Sequence, residues 1–123
     1  MKYLLFFLLI FNLSCNAQDN KCKQFKTGTF AYVGLEYEDS IIIRNDSIQV
    51  ESNSKSGYKA TAYIDWLSDC QYTLTFKEVN NPKSQYLIGT SFTVDIISTS
   101  KNSYKYRGYD DVYEITGEIF KID

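Results

Sequence analysis

The chain contains no histidine, one proline, one tryptophan and two arginines, and its longest apolar run stops well short of twenty residues. Each shortage removes a class of function. Without histidine there is no Ser-His-Asp or Cys-His nucleophile, no commonest zinc ligand and no commonest general base. Arg44, Arg107 and the scattered lysines form no basic stripe, whereas a nucleic-acid binder needs clustered cations to displace counterions from phosphates. Nucleic acid is therefore not an expected partner. The apolar run Leu4 to Phe11, preceded by Lys2, is too short to cross a roughly 30 Å hydrocarbon core as a helix. It reads as a removable signal peptide over residues 1–17, followed by a linker over 18–24 and a single β domain over 25–123. Removing Lys2 with the leader takes the formal charge from −2 to −3, a balance that does not favour anionic lipid surfaces.

Two cleavage patterns compete. Leu13, Ser14 and Cys15 resemble the lipobox of bacterial lipoproteins, in which Cys15 becomes the acylated first residue, although Asn12 stands where an aliphatic residue is usual. Alternatively, Cys15, Asn16 and Ala17 form a small-x-small site with cutting after Ala17. Three cysteines in an exported chain leave an odd one, and lipidation of Cys15 accounts for it. Under either cleavage Cys22 and Cys70 remain as the pair expected to oxidise to a disulfide. Closing that loop should stabilise the fold by about 4 kcal/mol on the chain-entropy model. The expected location is the cell envelope as a lipoprotein, otherwise the periplasm or the medium, with membrane contact only through acyl chains on Cys15.

Beyond residue 24 the chain is rich in Ile, Val, Thr, Tyr and Phe, and no stretch carries helical periodicity. Ile41 to Arg44 and Ser47 to Glu51 flank Asn45-Asp46, which predicts a two-residue type I′ hairpin pairing Arg44 with Ser47. That register sets Ile41, Ile43, Ile48 and Val50 on one face and Ile42, Arg44, Gln49 and Glu51 on the other. Tyr58, Ala60, Ala62, Ile64 and Trp66 then alternate with polar residues, as do Tyr72, Leu74 and Phe76. Asn80 to Lys83 breaks the pattern, and a long strand is expected over Tyr86 to Ile97 with Gly89 as a bulge. Ser103 to Arg107, a turn at Gly108 to Asp110, and Asp111 to Ile122 with a bend at Gly117 supply the rest. Ser52 to Gly57 reads as a mobile hairpin loop.

With Thr27 to Gly34 counted first, about eight strands follow one another through short connections, which suits an all-β antiparallel up-and-down barrel, with a β-sandwich as the alternative. Phe25, Gly28 and Phe30 resemble the opening of lipocalin-like barrels, with Phe30 in place of the usual tryptophan and no helical pattern ahead of the first strand. The wider set Cys22-x-x-Phe25-x-x-Gly28-x-Phe30, Gln49-x-Glu51 and Ile64-x-Trp66-x-x-x-Cys70-x-Tyr72-x-Leu74 resembles a group of short exported bacterial proteins of unknown function. That resemblance implies a fold without implying a mechanism.

Carboxylates are the remaining catalytic candidates. Glu36, Glu38 and Asp39 fall in one predicted loop and Asp110 with Asp111 in another, where solvated turn charge is the ordinary reading, and neither has EF-hand spacing. Neither a metal nor a cofactor is expected, and the chain does not read as an enzyme. Trp66 falls in phase with a core face, and Tyr104, Tyr106, Tyr109 and Tyr113 cluster around Arg107, whose expected partner is Glu114. If the barrel holds an apolar or amphipathic small ligand, Trp66, Tyr72, Phe92, Tyr104 and Tyr106 are the residues expected to meet it. The alternative is an envelope structural or protein-interaction module without a ligand cavity.

Overall fold

A computed structural model describes residues 21–34 and 38–123. The leader, Cys15 and Glu36 lie outside the described residues. Eight antiparallel strands run in sequence order around a closed barrel: β1 (Gly28–Tyr32), β2 (Ser40–Arg44), β3 (Ile48–Asn53), β4 (Lys59–Ser68), β5 (Gln71–Val79), β6 (Ser91–Thr99), β7 (Ser103–Tyr109) and β8 (Glu114–Lys121). Closure comes from β1 against β8, with Phe30 opposite Lys121 and Tyr32 opposite Ile119. That seam removes both sheet edges and with them the sandwich alternative. Offsets between Thr61 and Ala62, Trp66 and Ser68, and Ile96 and Ser98 bend the wall into a tube.

The interior follows the two-residue period of the strands. Phe30, Ile42, Ile64, Tyr72, Leu74, Val94, Ile96, Tyr104, Tyr106 and Ile119 are all buried in one cluster. The disulfide joins Cys22 to Cys70 with the Cα atoms 5.3 Å apart, tying the segment before β1 to the β4–β5 turn as expected. Ahead of β1 the chain forms a short 3-10 turn, Lys23–Phe25, that was not legible as a helix because three residues carry no periodicity. Phe25 from this turn is fully buried, its ring 5.0 Å from that of Tyr104, and it stoppers one end of the barrel.

In the β2–β3 hairpin the structure differs from the sequence reading. Arg44 stands opposite Gln49, not Ser47, and Ile42 opposite Glu51. A two-residue shift preserves which residues share a face, but the face that points inward is the polar one: Arg44 and Gln49 are buried and Ile43 is 56% exposed. The turn is not type I′, because among the described non-glycine residues only Asp39 has positive φ. Instead the Asn45 carboxamide oxygen accepts from the Ser47 and Ile48 amides at 2.9 and 2.8 Å.

Three further boundaries moved. Pro82–Leu87 is a 3-10 segment capped by the Asn81 side chain, so β6 begins at Ser91 and Tyr86 and Ile88 are exposed. Gly108 continues β7, and the following turn is closed by the Asp110 amide donating to the Tyr113 carbonyl at 3.0 Å, which delays β8 to Glu114. Gly117 is no bend; a Cβ there would lie 2.6 Å from the Tyr106 hydroxyl, so the glycine makes room for that ring.

Candidate functional site

The two ends of the tube differ in how they are filled. At the stoppered end Arg44 is 2% exposed in the barrel axis. Its Nε donates to Gln49 Oε1 at 2.9 Å, one terminal nitrogen donates to the Phe25 carbonyl at 2.7 Å, and the other donates to the Tyr72 and Tyr104 hydroxyls at 3.3 and 3.0 Å. The two hydroxyls are 2.9 Å apart and hydrogen-bonded to each other. The guanidinium also lies 4.6 Å from the Phe30 ring centre and 4.9 Å from that of Tyr72. Burial opposes its charge, but the Tyr72 and Tyr104 oxygens outweigh burial and hold its pKa above the ordinary value. Burial, then the neighbouring Tyr104, pushes the Tyr72 hydroxyl well up, so it stays protonated. This network satisfies the cation and seals the floor.

Outside the floor, Lys26 donates to Asp69 at 2.7 Å and sits 5.5 Å from the Trp66 ring centre. Trp66 packs on Tyr72 at 4.7 Å, and among the described residues its buried indole N–H has no hydrogen-bond partner. Gly28, at φ +132°, lets Asp123 and Lys121 close over the start of β1; a Cβ there would lie 2.5 Å from the Asp123 carbonyl oxygen.

Toward the other end small residues, Ser40, Ala60, Ala62 and Gly108, all buried, stand among the larger Tyr32, Phe76 and Phe92. A cavity of about 50 Å³ remains inside, lined by Tyr32, Gln49, Glu51, Ala62, Leu74 and Phe92 among others. That is space for a few waters. Above it, between the 80–90 segment and the β7–β8 turn, a mainly apolar pocket of about 160 Å³ opens at the mouth, lined by Phe76, Leu87, Phe92, Tyr113 and Ile115 with Asp110 at its rim. Phe76 and Phe92 border both spaces, their ring centres 5.9 Å apart. A wider depression of about 400 Å³, which includes Val33, Ile97 and Gly117, is shallow and lies on the outer wall.

Glu51 projects into the inner cavity from β3 and accepts a hydrogen bond from Tyr32. Burial pushes its carboxyl up, partly offset by that bond, and burial followed by the Glu51 charge pushes the Tyr32 hydroxyl well up. Among the described residues no Lys or Arg forms an ion pair with Glu51. Asp110, by contrast, has its carboxyl pulled down by accepting the Tyr113 and Val112 amides, a turn-closing role. Asp65 is exposed, and Arg107 pairs with Glu114 at 2.7 Å as expected. Among the described residues no three His, Cys, Asp or Glu side chains gather to hold a metal.

Of the five residues read from the sequence as ligand contacts, Tyr72 and Tyr104 belong to the Arg44 network and Trp66 stacks beside it. Tyr106 packs edge-on to Tyr104, and Phe92 alone of the five lines the mouth. Glu51 falls on the polar face of a hairpin in the sequence pattern, and only its inward orientation makes it notable. No known protein family, curated protein or solved structure matches this chain.

Proposed function

We propose that this chain is an exported, non-catalytic binding barrel that takes a small amphipathic ligand at its mouth. The observation that carries the reading is the graded interior: large side chains and a satisfied cation fill one end, and at the other, small residues standing among Tyr32, Phe76 and Phe92 leave two spaces with Phe76 and Phe92 as shared lining. Spaces of about 50 and 160 Å³ fall below the roughly 300 Å³ at which drug-sized sites begin, so the occupant is small and a long acyl chain is not accommodated. The disulfide supports export, since such bridges persist in oxidising compartments. A lipid tether on Cys15 remains part of the proposal. Titration with 2-phenylethanol followed by amide NMR tests the site. Shifts confined to the surroundings of Phe76, Phe92, Tyr113 and Ile115 are expected; shifts elsewhere or none would overturn it.

A second reading rests on the outer wall of β1–β3. Ala31 neighbours both Ile41 and Phe120, Ile43 neighbours Val50, and Ile48 neighbours Tyr63, so an apolar strip runs over five strands, from β8 across the seam to β4. With Ile43, Tyr63 and Phe120 each more than a third exposed, this face suits a protein contact. Sedimentation analysis of wild type and Ile43→Lys would test self-association through it; monomers in both would remove that form of the interface.

A further inference from the structure

We propose that the ligand carries an organic cation, an ammonium group seated against Glu51 with its apolar body held at the mouth by Phe76 and Phe92. This rests on the mouth reading above and names the chemistry of its occupant. Among the described residues the interior holds two charged side chains, Arg44 and Glu51, of very different standing. Arg44 has four hydrogen-bonding partners and an aromatic surround. Glu51, one layer nearer the mouth, borders a cavity, has Tyr32 as its hydrogen-bond donor and no cation from the described residues. A half-buried carboxylate without a counter-charge is less well solvated than in water, and an entering ammonium group would offset that penalty with a charge-assisted hydrogen bond.

The surroundings select an organic cation over a metal ion. Metal sites gather several oxygen, nitrogen or sulfur ligands, and no such group of acidic or cysteine side chains forms among the described residues. Apart from Tyr32 and the Gln49 carboxamide, the residues that share the cavity with Glu51 are apolar: Ala60, Ala62, Leu74 and the Phe76–Phe92 pair. Ring faces within reach of the ammonium add cation–π attraction and exclude water from the remainder of the ligand. Since Phe76 and Phe92 border both spaces, a ligand with its ring in the mouth and a short arm passing them puts its charge beside Glu51.

Three probes of one shape separate the possibilities: 2-phenylethylammonium, 2-phenylethanol and 3-phenylpropionate, titrated calorimetrically and by NMR into wild type and Glu51→Gln. The expected result is an ammonium affinity about tenfold above that of the alcohol, equivalent to about 1.4 kcal/mol, and weaker binding of the carboxylate. Glu51→Gln should erase the tenfold difference while leaving the alcohol affinity unchanged. Equal binding of ammonium and alcohol to wild type would overturn the cation and leave the mouth site standing. Binding of none of the three would overturn both. An ammonium preference retained in Glu51→Gln would assign the charge to Asp110 at the rim and overturn the role of Glu51. Should Glu51→Gln fail to fold, the Glu51 carboxyl resonance in wild type decides: saturation with the ammonium probe should return its pKa toward the ordinary glutamate value, and no change refutes the contact.

Discussion

The floor and the mouth of this barrel are built from the same eight strands, yet they solve opposite problems. At the floor, Phe25, Phe30, Tyr72 and Tyr104 crowd around Arg44, and the chain ahead of β1 is bolted across the opening by Cys22–Cys70. At the mouth, Ser40, Ala60 and Gly108 stand inward, and Tyr113 and Ile115 are 74% and 54% exposed. Polar groups follow the same division. Arg44 is buried and satisfied, whereas Glu51 is held inside with a raised carboxyl pKa. A small barrel need not be uniformly packed; here one end supplies stability, which permits the other to keep space and an interior charge that lower it.

Cutting the bolt should have the largest effect. Cys22→Ser with Cys70→Ser, or reduction of the wild type, is expected to lower unfolding free energy by about 4 kcal/mol in urea titrations. A loss below about 1 kcal/mol would show that the floor does not depend on the bridge. Next comes the cation. Arg44→Met leaves the Phe25 carbonyl, Gln49 and one of the two mutually bonded tyrosine hydroxyls short of a donor, for an expected loss of about 3 kcal/mol. Tyr113→Ala at the mouth should change stability by no more than about 0.5 kcal/mol, and similar losses at both places would erase the distinction.

The smallest expected effect is on pH dependence, where one carboxyl from each end responds with opposite sign. Burial raises Glu51 above its usual 4.5, so its ionised form weakens the fold at neutral pH, and the penalty disappears as pH falls from the raised folded value through 4.5. Lys26, through a hydrogen bond to Asp69, lowers that carboxyl below 3.8, so its contribution is complete above 3.8 and lost as pH falls through the lowered folded value. Relative to wild type, Glu51→Gln should therefore gain stability at pH 7 and Asp69→Asn lose it, with both differences shrinking in acid. Denaturation series at pH 7, 5 and 3 would show this; parallel curves for the two variants would refute it.

Much of the architecture was legible because strand periodicity is local. The phase of Ala60, Ala62 and Ile64, and of Tyr72 and Leu74, follows from alternation and is the phase observed. The disulfide followed from compartment and count, and the Arg107–Glu114 pair from cross-strand proximity. What failed were features without a period. The expected strand over Tyr86 to Ile97 overlaps only the end of the 3-10 segment Pro82–Leu87, because Tyr86 and Ile88 match a strand phase by composition alone. The stopper Lys23–Phe25 is too short to leave a pattern. The mouth pocket joins Phe76, Leu87, Phe92, Tyr113 and Ile115 from separate parts of the chain, and no linear spacing brings them together.

Sequence alone determined that this chain is a succession of short antiparallel strands, which residues of each strand share a face, and which two cysteines pair. Only the tertiary structure decided which face of β2 and β3 turns inward. Alternation divides a strand into two sides without naming the inner one, and hydrophobicity argued for Ile41, Ile43 and Val50. The closed tube chose Ile42, Arg44, Gln49 and Glu51, because in that enclosed space Phe25, Tyr72 and Tyr104 from distant elements give Arg44 its hydrogen-bond partners. The same inversion placed Glu51 beside the cavity from which the proposed function is argued.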